Sequence, residues 1–388
     1  MTILEHKTTT SNPTDRAGSP RDWDARARRL ARGFAADAAA TDASGEFVHA
    51  NFDVLREQGA LAMAVPTEMG GDGASYSTVC SVLRTLAQGC PSTALALSMH
   101  QHVVAAQLWS HRQGGPGQAV LERVAREDIV LVSTGGTDWL SSNGTVEAVE
   151  GGFKVTARKV FASGSPAGDV LVTSAPYEDP DEGWQVLHFP VSLSAGGVSL
   201  EDDWDVVGMR GTGSQTVVLN EVFVPEGSVG LRRPRGEWHP VWNTVLTVAL
   251  PIISSVYVGI AERAAELARA SARGDAGRLC DAHGDLENEL TAARIALESL
   301  IDNAQEGHFT NSLERANAAL VRKTLAIEAA QRATAAAVEA AGGRSFYRDF
   351  GLEQLWRDVQ AGSFHPLPKR RQVRFSGSVA LGLDPSEA

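Results

Sequence analysis

The sequence predicts an α+β protein of several domains, in which a helical domain, an antiparallel β domain and a helical bundle follow one another. Two changes of pattern carry this prediction. Apolar residues recur at helical spacing over residues 22–127, short β-rich runs occupy 128–234, and long Ala- and Leu-rich helical patterns fill 235–388. Residues 1–21 are polar and aperiodic, and we expect a flexible tail there.

The composition is that of a globular protein and narrows the functional classes. Of 388 residues, 43% are hydrophobic and 21% are charged, which excludes collagen-like, coiled-coil and disordered interpretations of the whole chain. The net charge of −12 repels phosphate backbones, so we expect no nucleic-acid partner. Cys80, Cys90 and Cys280 form no C-x-x-C pair, so we expect neither a disulfide framework nor a metal site. No apolar run has the length of a signal peptide or membrane span, which predicts a cytoplasmic protein without membrane association.

The first domain, residues 22–127, carries the signals of several helices. An Ala- and Arg-rich segment follows Trp23, and both residue types favour helix. Gly59 stands where a second helical pattern stops. A long buried helix is expected after Pro91, with Ser92 or Thr93 available as its cap.

The second domain, residues 128–234, carries the signals of strands. Residues 153–158 alternate between apolar and polar types, which is the period of a half-buried strand. Turn signals at 143–144, 150–152 and 179–181 separate the β-rich runs. This spacing predicts a compact antiparallel barrel or sandwich.

The third domain, residues 235–388, is predicted to be a four-helix bundle. Three long segments, 241–270, 285–305 and 312–343, place Ala and Leu on one stripe and charges on the other. A shorter helical pattern follows them at 350–362. Segments of this length with short connections are typical of antiparallel bundles.

Four motifs, in this order and at these separations, resemble the acyl-CoA dehydrogenase superfamily from Asp22 to Pro385. They are Val65–Gly71; Cys90–Leu95 followed by Met99-His100; Val207–Ser214 leading into Val217–Pro225; and Gly342-Gly343 followed by Arg357-Asp358. The resemblance implies a helical domain, a β domain and a four-helix bundle, with a flavin held where they meet. It also implies a homo-oligomer, commonly a homotetramer.

The resemblance implies flavin contacts at the ends of two β-domain strands and in the bundle. An isoalloxazine ring needs polar partners along one edge and apolar packing on its faces. The implied cofactor-binding residues are Ser133, Thr134, Thr137, Phe161, Ser163, Arg273, Gly342 and Gly343. The family's Arg-x-x-Phe-Gly text is missing around Arg273, and Ser345 replaces the third glycine of the last signature. FMN and FAD therefore both remain open, with FMN made plausible by these departures.

The catalytic base of the dehydrogenases is missing from this sequence. Removing a proton next to a thioester requires a carboxylate within reach, and the family usually places a glutamate where Pro366 stands here. The alternative position on the first bundle helix falls within 242–251, which contains no carboxylate. Desaturation of an acyl-CoA is therefore disfavoured.

Ser163 and His365 match the pattern of the superfamily's flavin-dependent monooxygenase branch. That branch uses reduced flavin from a separate reductase and dioxygen, through a C4a-hydroperoxyflavin, which here implies a small aromatic or amine substrate. A hydroxyl at Ser163 can hold the hydrogen on flavin N5. An imidazole at His365 can deprotonate a substrate or hand a proton to the departing oxygen. We therefore predict Ser163 and His365 as catalytic residues.

The substrate pocket is predicted to include His100, Trp242 and Asn243, and Tyr257 is a further candidate. His102 competes with His100, since two residues apart on a helix they face different sides. Core packing remains the alternative for the aromatic residues. A helix-end role remains open for His365, and a plain turn role for Ser163.

Three functions are compared. The first is the flavin monooxygenase, oxygenating carbon, nitrogen or sulfur. The second is an FAD-dependent acyl-CoA dehydrogenase with a relocated base, for which Glu339 and Glu353 are the nearest substitutes in the sequence. The third is a non-catalytic flavin-binding homologue that keeps the fold.

Overall fold

The structure is a computed structural model that describes residues 22–134, 139–272 and 280–387. It confirms the predicted order of helical, β and helical parts. The expected tail, residues 1–21, lies outside the described residues, and so do the predicted flavin contacts Thr137 and Arg273.

The N-terminal part contains six helices, and two of them begin at a side-chain cap. Asp22 accepts a hydrogen bond from the Ala25 amide and Ser75 one from the Thr78 amide, which satisfies free N–H groups of a first turn. One expectation is corrected, because the long helix begins at Pro91 itself and Ser92 and Thr93 lie inside it. The helices are α1 Trp23–Phe34, α2 Ala38–Ser44, α3 His49–Glu57, α4 Tyr76–Ala87, α5 Pro91–Arg112 and α6 Gln118–Glu127.

The β part forms two four-stranded sheets, one in the order β1-β4-β5-β8 and the other in the order β2-β3-β7-β6. All pairings are antiparallel except β1 with β4, which run parallel. The strands are β1 Leu131–Ser133, β2 Thr145–Val149, β3 Gly152–Ala162, β4 Val170–Asp179, β5 Gly183–Ser192, β6 Val198–Leu200, β7 Gln215–Pro225 and β8 Leu231–Pro234. The ends of β1 and β3 carry the predicted flavin contacts.

The C-terminal part contains the four predicted bundle helices and one more. The helices are α7 Val241–Ser271, α8 Cys280–Asn303, α9 Leu313–Ala341, α10 Leu352–Val359 and α11 Lys369–Ala380, and α11 was not predicted. Within the described residues, α7 is the one helix long and apolar enough to cross a bilayer, and its most apolar window is almost entirely buried inside the protein. Contacts with α4, α5, α8 and α9 cover it, as expected for a central core helix.

Helix α5 connects the three parts and thereby defines where a site can form. It packs against β1 on one side and against α7 on the other, while α10 packs against α7 and α9. Gly164, just after β3, lies against α5, since a Cβ at that position would be 3.7 Å from the Ala96 Cβ. Helix α5 therefore links the ends of β1 and β3 to α7, which in turn contacts α10.

Candidate active site

His365 is held by a tyrosine of the central bundle helix. The Tyr257 hydroxyl lies 2.5 Å from His365 Nε2, and the two rings are 5.4 Å apart. Tyr257 is fully buried in α7, whereas His365 is partly exposed. Gly362 permits this approach, because a Cβ there would lie 2.6 Å from an Ile327 methyl and 3.3 Å from the Tyr257 ring.

Lys323 of α9 fixes the backbone around this histidine. Its Nζ donates to the carbonyl oxygens of His365 and Leu367, each at 2.9 Å, and its side chain is buried. Burial lowers the pKa of Lys323 to about 8. Because a buried ammonium needs several acceptors, these two bonds hold the His365–Leu367 segment in one conformation.

His365 is a neutral imidazole at neutral pH. Desolvation in this partly buried position, with the positive charge of Lys323 and the ring of His102 adding to it, lowers the pKa of His365 to about 3. Burial, together with the Asp358 charge, raises the pKa of Tyr257 well above its usual value. The pair therefore consists of an uncharged phenol and an uncharged imidazole.

The hydrogen-bond network assigns the tautomer of His365. Among the described residues, the Tyr257 hydroxyl has no acceptor other than His365 Nε2, and a buried hydroxyl proton without an acceptor is costly. The hydroxyl therefore donates to Nε2, which places the ring hydrogen on Nδ1. No protein group in the described part of the chain bonds Nδ1, so this N–H is available to a ligand.

His100 was predicted to line the substrate pocket, but the structure shows it in a structural role. It is fully buried, its Nε2 donates to the Leu61 carbonyl at 2.9 Å, and its Nδ1 accepts from the Leu131 amide at 3.0 Å. Both ring nitrogens are therefore occupied in joining α5 to the start of β1. This arrangement leaves His100 nothing to offer a substrate.

His102, and not His100, is the α5 histidine that contributes to lowering the pKa of His365. Its Nδ1 donates to the Ser98 carbonyl at 3.3 Å, which leaves Nε2 as an acceptor. Burial lowers the pKa of His102 to about 4, so this ring is also neutral at neutral pH. His102 therefore offers a lone pair on Nε2, whereas His365 offers an N–H on Nδ1.

Trp242 and Asn243 lie in closed packing at the start of α7. Trp242 is 8% exposed, and its ring centre lies 4.8 Å from that of Trp139. The Asn243 side chain accepts from Trp238 Nε1 and donates to Asn311, both at 3.0 Å. These partners satisfy the Asn243 amide, whereas the indole N–H groups of Trp242 and Trp139 have no hydrogen-bond partner among the described residues.

Phe161 presents a partly exposed aromatic face beside the end of β3. Its φ of 58° is positive, which is uncommon for a residue with a side chain. Its ring is 54% exposed and meets Trp204 edge to face at 6.0 Å. A strained backbone that keeps an aromatic ring at the surface fits a flat ring stacked on it.

Hydroxyl groups also lie at the ends of β1 and β3. Ser163 Oγ lies 2.6 Å from Ser214 Oγ, and Thr134 Oγ1 lies 2.6 Å from Thr173 Oγ1. Ser133 pairs with Val172 at the end of β1 and is partly exposed. Aromatic surface and edge hydroxyls are the donor and acceptor set that an isoalloxazine ring requires, so these residues fit a flavin.

Only one of the two predicted bundle glycines is required by the backbone. Gly342 ends α9 with φ 61° and ψ −151°, a region open essentially to glycine alone. Gly343 has a negative φ and nothing within 4 Å of a Cβ built on it. The structure therefore explains Gly342 by helix termination and gives no packing reason for Gly343.

The Val207–Ser214 motif and the Arg357-Asp358 motif pack directly against each other. The Met209 amide donates to Asp358 Oδ1, and the Arg357 guanidinium donates to the Val207 carbonyl at 2.8 Å. A Cβ on Gly208 would lie 2.5 Å from the Arg357 carbonyl oxygen, so glycine is needed for this approach. The turn that leads to Ser214 is thus held by the helix that leads to His365.

Carboxylates near the site are engaged in structure. Asp358 is 1% exposed, and its Oδ2 has no hydrogen-bond partner in the described chain. Glu353 accepts from Arg357 Nε at 2.7 Å, and Glu339 is exposed on α9. Neither substitute considered for a relocated base is free in a pocket.

We expect Asp358→Asn to change how stability depends on pH. Burial raises the pKa of Asp358 from 3.8 to about 7, so the folded state keeps a proton that the unfolded state releases above about pH 4. The contribution of Asp358 to the free energy of unfolding is therefore largest at low pH and is lost as pH rises toward about 7. The amide variant lacks this titration, so between about pH 5 and 7.5 the native protein should lose roughly 1 to 3 kcal/mol more unfolding free energy than the variant. Urea unfolding of both proteins at these two pH values tests this, and parallel pH profiles would contradict it.

Comparison with known proteins identifies relatives over nearly the whole chain. The profile of the acyl-CoA dehydrogenase N-terminal domain matches residues 21–128, and that of the C-terminal domain matches residues 240–365. A putative acyl-CoA dehydrogenase of Bacillus subtilis, YdbM, is 29% identical over 89% of this chain and 93% of its own. A probable FMNH2-dependent monooxygenase of Pseudomonas putida, SfnC, is 25% identical over 93% of this chain and 95% of its own.

A solved structure shares the whole architecture. The methanesulfinate monooxygenase MsuC of Pseudomonas fluorescens superposes with a TM-score of 0.80 at 25% identity, covering 92% of this chain and 96% of that one. The predicted fold, with its helical, β and bundle parts in sequence, is confirmed by this likeness.

Proposed function

The chain belongs to the acyl-CoA dehydrogenase family, and we propose that it acts as an FMN-dependent monooxygenase on a small aromatic or amine substrate. It is a flavin-dependent oxidoreductase, as are its relatives among the monooxygenases. When bound, reduced FMN supplies the two electrons that activate dioxygen, and we propose that a separate flavin reductase delivers it. FAD, a homotetramer and a cytoplasmic location stay predictions.

The observation that carries the proposal is the Tyr257–His365 pair at the place where a dehydrogenase needs a carboxylate. Pro366 follows the histidine directly, and Asp358 is buried in the contact with Met209. With its Nε2 lone pair engaged by the Tyr257 hydroxyl and a hydrogen on Nδ1, this imidazole is a poor base for removing a proton from carbon next to a thioester. It can donate a hydrogen bond to an oxygen atom that gains negative charge, which is what oxygen transfer requires.

Each residue has a distinct proposed role. Tyr257 holds His365 in the Nδ1–H tautomer, and Lys323 holds its backbone. His365 donates to the reacting oxygen, and His102 accepts a hydrogen bond or proton from the substrate through Nε2. Of the two roles predicted for His365, these contacts favour donation over base catalysis.

Ser163, Phe161 and Thr134 are the proposed flavin contacts. The exposed Phe161 ring provides a face for the isoalloxazine, and the Ser163 and Thr134 hydroxyls provide polar partners for its edge. Ala96, which packs near Gly164, and His102 lie six residues apart on α5, or about 9 Å along the helix axis. One rigid helix therefore supports both the flavin edge and the imidazole pair.

Mixing experiments test the function directly. Anaerobic protein with FMNH2 is mixed with oxygenated buffer, and the return of oxidised-flavin absorbance is followed with indole, aniline or thioanisole present. We expect reoxidation to be slower than for free FMNH2 and ¹⁸O from ¹⁸O₂ to enter at least one probe. Reoxidation at the free rate with stoichiometric peroxide would overturn the proposal. Bleaching of bound FAD by an acyl-CoA without oxygen would establish the dehydrogenase instead.

We expect Tyr257→Phe to lower probe oxygenation by roughly tenfold without changing FMN affinity, because the tautomer of His365 is no longer fixed. Tyr76→Phe is the matched control, since its buried hydroxyl donates to the Val248 carbonyl at 2.6 Å in another part of the core. Oxygen incorporation per FMNH2 and the FMN dissociation constant are measured for both variants. Equal losses in the two would remove the specific role of Tyr257.

A further inference from the structure

Three buried hydroxyl groups form a continuous chain that begins at Ser163. Ser163 Oγ lies 2.6 Å from Ser214 Oγ, which lies 2.7 Å from Thr212 Oγ1, and Thr212 Oγ1 lies 2.9 Å from the Met209 carbonyl oxygen. Their exposed fractions are 8%, 4% and 0% in the same order. Among the described residues, these hydroxyls have no other side-chain hydrogen-bond partners.

Proton counting allows this chain two orientations. Each hydroxyl carries one hydrogen, so two oxygens at 2.6 to 2.7 Å must share one hydrogen between them. In the first orientation Thr212 donates to Met209, Ser214 to Thr212 and Ser163 to Ser214, so Ser163 offers only lone pairs outward. In the second, Thr212 donates to Ser214 and Ser214 to Ser163, so Ser163 offers its hydrogen outward.

The far end of the chain tolerates both orientations. The Met209 carbonyl also accepts from the Thr212 amide at 3.1 Å and from Trp204 Nε1 at 3.2 Å. When Thr212 turns its hydrogen away, this carbonyl still keeps two donors and is not left unsatisfied. Reversing the direction of the hydrogen bonds therefore leaves no buried polar group at that end without a partner.

We propose that the Thr212–Ser214–Ser163 chain reverses its hydrogen-bond direction with the redox state of the flavin, which makes Ser214 and Thr212 positioning residues. The inference rests on the proposed function. Oxidised flavin has an acceptor at N5, which the second orientation satisfies. Reduced flavin carries a hydrogen at N5, which the first orientation accepts. Because the hydroxyls are buried, a mismatched orientation would be expensive.

Breaking the chain should penalise one redox state selectively. With Ser214→Ala or Thr212→Val, the Ser163 hydroxyl can still donate its hydrogen to N5 of oxidised flavin. When Ser163 instead accepts the N5 hydrogen of reduced flavin, one hydroxyl hydrogen in the shortened row of hydroxyl groups has no acceptor. We expect the affinity for FMNH2 to fall roughly tenfold, while the affinity for FMN changes much less. Thr212→Ser keeps the hydroxyl, so we expect the ratio of the two affinities to stay at the native value.

Ser165→Ala is the matched control. Ser165 is buried two residues from Ser163, and its hydroxyl donates to the Gly213 carbonyl at 3.2 Å outside the chain. Dissociation constants for FMN are measured by fluorescence quenching in air, and those for FMNH2 by anaerobic titration, on the full-length protein and all variants. Ser165→Ala should leave the ratio of the two constants at the native value.

The outcomes separate this inference from the proposed function. The inference is supported if the ratio of the FMN and FMNH2 dissociation constants changes in Ser214→Ala and Thr212→Val. The same ratio should stay at the native value in Thr212→Ser and Ser165→Ala. An unchanged ratio, or an equal loss for both redox states, overturns it while the monooxygenase proposal stands. Failure of the native protein to bind either form of FMN would overturn both.

Discussion

His365→Ala is expected to lower oxygenation of the responsive probe by roughly 10²- to 10³-fold while FMN affinity stays nearly native. The variant removes the one imidazole whose N–H is free in the described site, and it leaves the hydroxyls and Phe161 at the flavin edge unchanged. The measurement is ¹⁸O incorporation per FMNH2 consumed, together with the FMN dissociation constant. FMNH2 should instead be consumed with release of hydrogen peroxide.

Two further variants define what His365 contributes. His365→Asn places an amide N–H close to the position of Nδ1, and we expect it to recover part of the lost activity. His308→Ala removes an exposed histidine elsewhere in the bundle and should leave product formation unchanged. If His365→Ala oxygenates the probe at the native rate and coupling, His365 has no part in the reaction.

Ser163→Ala is expected to divert reduced flavin into peroxide. Without this hydroxyl the hydrogen on N5 has no acceptor from the chain, and we expect product per FMNH2 to fall roughly tenfold as peroxide rises. Hydrogen peroxide and probe product are quantified in the same reaction. The variant also disconnects Ser214, so its effect on the affinity for FMNH2 should be at least as large as that of Ser214→Ala.

Ser165→Ala again serves as the control for this experiment, because it removes a buried hydroxyl from the same turn. Native coupling in Ser165→Ala with peroxide release in Ser163→Ala would locate the effect at Ser163. Native coupling in both would show that the Ser163 hydroxyl does not act on N5. Equal uncoupling in both would indicate a disturbed turn rather than a lost contact.

The order of the three parts of the chain was predictable because the hydrophobic period changes with the type of element. Strand alternation over 153–158 and helical spacing in the bundle reflect local backbone geometry, which a sequence reports directly. The parallel pairing of β1 with β4 and the existence of α11 were not predicted. The first depends on chain segments about 40 residues apart, and the second is a short amphipathic segment after a proline-rich stretch.

The choice between His100 and His102 illustrates what periodicity leaves open. Helix α5 is buried almost continuously from Pro91 to Val104, so no apolar stripe distinguishes the face toward β1 from the face toward α7. Only the tertiary structure shows that both ring nitrogens of His100 form hydrogen bonds with the backbone of Leu61 and Leu131. The same burial hid the closed packing of Trp242, whose residue type alone suits either a pocket or a core.

The sequence by itself predicted that the base of the dehydrogenases is missing and that Ser163 and His365 take its place, because the residues at these positions and at Pro366 can be compared directly with the pattern of a family. The tertiary structure decided how those residues can act. Tyr257 reaches His365 across 108 residues, and Ser214 reaches Ser163 across 51. Hydrogen-bond direction depends on such partners, and partners far apart in the chain leave no local pattern, so only the fold reveals them.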